Sequence, residues 1–203
     1  MFDSFPAGDY ETLERPAYHD EFFRNLAGVR SMDKLERGQH FKERGFASWE
    51  AFAAGDWERA LELAGERREQ YAEQMRDAKR RGLAQRRLRV VEFPVTPYVQ
   101  WEMHVLRVRV EVGDVIRVLD ARTITDIEKH HPVPEVVILG DSVMYGVRYD
   151  DDGNAAGARR YRDPALIRET LDGFEELYAR GEDFLSFFDR EIAPLGAPSV
   201  TPL

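Results

Sequence analysis

The sequence predicts an α+β fold: a mainly antiparallel sheet of about four to five strands with packed helices, preceded by a helical N-terminal region. Three observations point there. Leu88–Phe93 is a β-branched run, and Thr96-Pro97 starts a helix directly after it. Two further β-branched runs flank Gly140-Asp141, the signature of a tight hairpin. A long helical pattern, Trp57–Arg81, precedes all of them. Hydrophobic residues make up 43% of the chain, enough for a packed core.

Residues 1–84 read as helical. Tyr18–Leu26 is a short amphipathic segment with Phe22, Phe23 and Leu26 on one side. The charged stretch Met32–Arg44 reads as helix and stops near Gly45. Ser48 opens a turn or two holding Trp49 and Phe52, closed by Gly55. Asp56 is placed to cap Trp57–Arg81, in which Trp57, Ala60, Leu61, Ala64, Tyr71, Met75 and Ala78 keep helical spacing. Gly82 sits where a left-handed residue ends a helix.

Residues 85–193 mix strands and helices. After Pro97, the residues Tyr98, Trp101, Val105, Val108 and Val112 keep helical spacing down to Gly113. Val105–Val112 also alternates as a strand; its length favours helix and its β-branching favours strand. Val115–Leu119 is a strand, and Ile124–Lys129 a turn of helix before Pro132 and Pro134. Glu135–Leu139 and Val143–Tyr149 form the hairpin arms, and Ala158–Tyr161 adds an antiparallel strand. Asp163-Pro164 opens a helix to Arg180 with a stripe of Ile167, Leu171, Phe174, Leu177 and Tyr178. A last helix, Glu182–Ile192, carries four more large apolar residues, and residues 194–203 form a flexible tail.

Composition limits function. Cysteine is absent, which removes disulfides, thiolate zinc sites and a cysteine nucleophile, and fits a cytoplasmic location. No apolar run reaches the roughly 18–20 residues of a membrane span, and the start, Met1–Pro6, carries an acid where a signal peptide carries basic residues. The net charge of −9 argues against direct nucleic-acid binding. Lys79, Arg80, Arg81, Arg86, Arg87 and Arg89 are a local exception, most simply a helix C-terminus complementing its dipole.

Few constellations carry chemistry. Asp150, Asp152, Gly153 and Asn154 read as a hairpin turn, because the glycine comes too early for a calcium loop. His130 and His131, near Asp126 and Glu128, match no metal-ligand spacing, so neither metal nor cofactor is expected. Leu139–Ser142 resembles an esterase block, but all five histidines precede Asp141 and none can serve as the downstream base. The remaining set is Arg87, Arg89, Tyr98, Trp101, Glu102 and His104. Glu102 facing the strand is either the anchor of a helix–strand salt bridge or part of an arginine-lined pocket for an anionic small molecule. In an enzyme, Glu102 and His104 would be the acid–base pair.

Jointly, Arg87–Val91, Pro94, Thr96, Tyr98, Trp101-Glu102, Gly113–Arg117, the Asp141 hairpin, Tyr149–Gly153 and Asp163–Ile167 resemble an uncharacterised actinobacterial domain family. Members are often encoded beside helix-turn-helix regulators. The resemblance runs over most of the chain, to about Phe188. The hairpin, aspartate turn and Asp-Pro helix are also similar to the last part of phospholipase-D-like sensor domains. Their catalytic His-x-Lys-x4-Asp is absent as a whole, and Val136–Gly140 replaces the usual aromatic-Leu-Phe-Asp block. The resemblance implies a non-enzymatic regulatory or interaction protein of the bacterial cytoplasm, partnering a DNA-binding regulator. The alternative is a small-molecule enzyme using the arginine-lined pocket.

Overall fold

The computed structural model describes Phe2 and residues 9–199. Along the chain lie β1 (Glu11–Glu14), α1 (Arg15–Gly28), β2 (Ser31–Glu36), α2 (Ala47–Ala53), α3 (Trp57–Glu66), α4 (Arg68–Arg81), β3 (Ala84–Val91) and α5 (Pro97–Glu111). After them come β4 (Ile116–Asp120), a 3₁₀ turn, β5 (Val136–Leu139), β6 (Val143–Tyr149), β7 (Ala155–Tyr161), α6 (Pro164–Arg180), β8 (Glu182–Asp183) and α7 (Phe184–Phe187), which runs into a π turn at Phe188–Ile192. The strands form one eight-stranded sheet in the order β1-β7-β6-β5-β2-β3-β4-β8. The expected antiparallel sheet of about four to five strands is therefore corrected. The sheet is mixed, because β2, β3 and β4 run parallel to one another.

The helical N-terminal region is corrected as well: β1 and β2 both belong to the sheet. Ser31–Glu36 looks like a solvated helix face in sequence because it is polar. In the sheet its charges are satisfied sideways, Asp33 by Arg86 and both Lys34 and Glu36 within the β2–β3 pair. Leu35 alone supplies the fully buried apolar contact. Trp57–Arg81 is two helices, separated at Arg67, whose N–H turns back to the Ala64 carbonyl at 3.3 Å. Val105–Val112 stays helical to Glu111, so length prevails over β-branching. The last helix is shorter than expected, since Glu182–Asp183 pairs with β4 first.

Local cap chemistry is where expected. Asp56 accepts from the Arg59 N–H at 3.1 Å, Thr96 from Val99 at 3.2 Å and Asp163 from Ala165 at 2.8 Å. Gly82 closes α4 with φ of 63°. The Gly140 turn joins β5 to β6, and the Asp150 carboxylate gathers the N–H groups of Asp152 and Asn154 between β6 and β7. Of the expected tail, residues 200–203 lie outside the described residues, as do Met1 and residues 3–8 of the start. The Gly196 carbonyl accepts from Gln100 Nε2 at 2.7 Å, which ties Gly196 to α5.

Alternation along the strands creates two faces. On one, Leu35, Leu88, Val90, Leu119 and Ile138 pack under Phe174 and Leu177 of α6. On the other, α5 and α7 cover Val91, Ile116 and Val118, while α1 covers Val137, Leu139 and Tyr145. Between α1 and α5 this second face carries charge. Among the described residues no helix is long and apolar enough to cross a membrane.

Candidate functional site

The charged strip follows from register. Leu88 and Val90 of β3 point to α6, so Arg87 and Arg89 point to the opposite face. The parallel pairing sets Lys34 beside Arg87 and Glu36 beside Arg89. Arg87 Nη1 donates to Glu36 Oε2 at 2.9 Å, and the Lys34 ammonium pairs with the other oxygen of the same carboxylate. Arg89 is fully buried; its Nε donates to Glu102 Oε2 at 2.7 Å and its Nη1 to the Val90 carbonyl at 2.8 Å. Its Nη2 has no hydrogen-bond partner. Thr96 fixes the start of α5, and Glu102, one turn beyond Tyr98, then meets the sheet. The Tyr98 hydroxyl donates to Glu43 Oε1 at 3.2 Å.

The carboxyl groups divide the work unequally. Burial acts to raise the Glu36 carboxyl, but Arg87, Lys34 and Arg89 outweigh it and hold Glu36 well below the usual carboxylate range. Glu102 is pushed up to about 7, first by burial and then by the Glu36 charge, against the pull of Arg89. Glu135 is also raised, chiefly by burial; it accepts from the backbone N–H groups of Arg37 and Gly38. Burial opposes the charge of Arg89, yet Glu102 and Glu36 together keep it protonated. Glu36 is thus the anion on which the strip depends.

The structure brings Arg87, Arg89, Tyr98 and Glu102 into one neighbourhood, packs the Trp101 ring against Tyr98 at 5.5 Å, and leaves His104 out of it. Arg89 and Glu102 bond each other rather than line an opening. Trp101 is buried, and its Nε1 donates to Ser48 Oγ at 2.9 Å; that hydroxyl donates to the Ala60 carbonyl at 2.7 Å, joining α2, α3 and α5. Trp101→Phe should therefore cost about 1–2 kcal/mol in urea unfolding, the worth of one buried hydrogen bond plus lost ring area. His104 is half-buried between the rings of Trp57 and Phe188, at 5.3 and 5.0 Å, where burial lowers its proton affinity. Two positions along a helix are about 200° apart, so it does not join Glu102.

The basic cluster is largely engaged. Arg80 pairs with Glu73 and Asp77, Arg81 donates to the Leu26 carbonyl at 2.7 Å, and Arg86 reaches Asp33 and Glu175. Near His130 and His131, Glu128 is held by Arg37 through bonds of 2.7 and 2.8 Å. Among the described residues no three histidine or carboxylate side chains are grouped to hold a metal.

Sequence reading missed Glu36 and Lys34, the centre of the strip. The signal available was Lys-x-Glu alternation, visible only once the segment is treated as a strand. It also missed that His40-Phe41-Lys42 reproduces a His-x-Lys, although Ala47 stands where the full pattern has Asp. That tripeptide follows β2, with His40 exposed against the Tyr98 ring at 5.6 Å. A comparison with curated proteins finds no match. A family model does match, over residues 18–189, from α1 into the π turn after α7, and the chain belongs to that family, Domain of unknown function (DUF6879).

Proposed function

We propose that the protein is a non-enzymatic regulatory or interaction protein of the bacterial cytoplasm, and that it docks a DNA-binding regulator. The observation that carries this reading is a groove of about 560 Å³ between α1 and α4, lined by Phe22, Phe23, Leu26, Met32, Met75 and Leu83. Phe23 is 55% exposed there. Glu73, Asp77, Arg80 and Arg81 rim it. An apolar channel with a mixed charged rim suits an amphipathic helix, whose apolar face fills the groove while its polar face meets the rim. The choice of a DNA-binding regulator rests on the resemblance to domains encoded beside such proteins, which is an association. The closed Arg89–Glu102 pair and the separate placement of His104 weigh against the enzymatic alternative.

Mass spectrometry of the intact complex purified from the source organism tests the reading. The expected mass is this chain plus a regulator, identified by its peptides. Titrating that regulator onto Phe23→Asp should weaken binding about tenfold or more, at an unchanged unfolding midpoint. A lone chain, or unaltered affinity of the variant, overturns the proposal.

A further inference from the structure

Further toward the N-terminus of α1 than that groove, and sharing Phe22 and Met32 with it, a second opening of about 310 Å³ lies over β2 and β3. Its floor holds Lys34 and Arg87, and Lys42 and Glu43 stand at its rim. Tyr18 and Phe22 of α1 form one wall, and Phe41 with Tyr149 the other. We infer that this cleft binds a small aromatic anion, a planar ring bearing one carboxylate or phosphate group.

Charge is the first argument. Glu36 serves both Lys34 and Arg87, so the floor carries two cations against one carboxylate. Beneath it Glu102, its carboxyl pushed up to about 7, balances Arg89 only in part, so this pair adds no negative charge to the floor. At the rim, the Lys42 cation is offset by the Glu43 carboxylate, which accepts from the Tyr98 hydroxyl, so the excess charge is that of the floor. One positive charge at a partly desolvated floor is left for an incoming anion, and Arg87 offers it a planar fork of donors. The phenols support this. Tyr18 is pushed up to about 12, first by burial and then by Tyr145, and Tyr149 is raised first by burial and then by the Glu135, Glu36 and Glu43 carboxylates. Both remain neutral hydroxyls, able to donate to an anion at pH 7.

Shape is the second. The rings of Phe41 and Tyr149 are stacked, with centroids 4.5 Å apart and planes 22° from parallel, and present a flat apolar wall. That wall is fixed before any ligand arrives. The Lys42 N–H donates to the Gly153 carbonyl at 3.0 Å, which pins its loop to the β6–β7 turn. A Cβ at position 38 would lie 2.3 Å from the Phe41 ring, so Gly38 is what lets that ring lie where it does. The volume sits at the lower end of the roughly 300–1,000 Å³ usual for ligand sites, which sets the size of the guest. The site does not depend on the partner reading, although Phe22 and Met32 line both openings.

Calorimetric titration of the full chain tests it with four probes: inorganic phosphate, benzamide, indole-3-carboxylate and adenosine 5′-monophosphate. At least one of the last two should bind ten or more times tighter than phosphate and benzamide. Lys42→Glu, which alters only the rim, should weaken that probe about tenfold at an unchanged unfolding midpoint. Lys34→Gln should weaken it too, with the Arg87–Glu36 bond left to hold the floor. Binding of phosphate or the neutral ring as tightly as the aromatic anions overturns the inference. So does no binding by either aromatic anion at 1 mM, or affinity unchanged in both variants.

Discussion

Glu102→Leu should destabilise the protein by about 3–5 kcal/mol, and more than Arg89→Met at the other end of the same ion pair. The two groups meet at 2.7 Å in a site where Arg89 has no exposure. Removing the carboxylate strands a guanidinium that cannot lose its proton in a protein. The arginine keeps its bond to the Val90 carbonyl, but Nη2 already lacks a partner and Nε then loses one. Removing the arginine is different. Glu102 already holds its proton up to about pH 7 and can become a neutral acid where it stands. The double variant, apolar at both positions, should be more stable than Glu102→Leu alone. Urea midpoints at constant slope measure all three. Equal costs at the two ends, or additive losses in the double variant, would mean that Arg89 is satisfied elsewhere. The expected asymmetry makes this pair a device for seating α5 on β3.

That pair was legible in the sequence because local rules fix both ends of it. Leu88 and Val90 assign one face of β3, which places Arg87 and Arg89 on the other. The Thr96-Pro97 start sets the phase of α5, which brings Tyr98 and Glu102 to the strand. Caps at Asp56, Thr96 and Asp163 could be read for the same reason, since each is a bond to a backbone group within three residues. Glu36 could not. It reaches Arg87 across 51 positions through a parallel pairing that leaves no local trace, and its strand hides its ion pairs as apparent surface charge. β1 and β8 are too short, at four and two residues, to show an alternating pattern. Both openings beside α1 arise from tertiary packing, as only half-buried residues of that helix meet the sheet. Alternation puts Arg87 and Arg89 on one face of β3, yet of the two only Arg87 lines an opening.

The same cluster should give stability two opposing dependences on pH. Glu36 is more acidic in the folded chain than its ordinary value of 4.5, so the folded state binds fewer protons there than the unfolded chain. Its contribution is fully present above about pH 4.5 and is lost as the pH falls below that. Glu102 runs the other way. Its folded value is raised to about 7, so its contribution is complete below the ordinary 4.5 and fades as the pH rises through 7. The shift corresponds to a loss on the order of 3 kcal/mol across that window. Wild type should therefore lose stability relative to Glu102→Gln between pH 4.5 and 7, whereas its advantage over Glu36→Gln should close only below pH 4.5. Unfolding free energies of the three proteins at half-unit steps from pH 3.5 to 8 measure both differences. A wild-type advantage over Glu102→Gln that stays level or grows toward pH 7 would place the proton elsewhere. If the two differences move as expected, one carboxylate carries the charge for three cations and the other is held near neutrality. A strip with that division of charge keeps a net positive floor at physiological pH, and an arriving anion would meet it there.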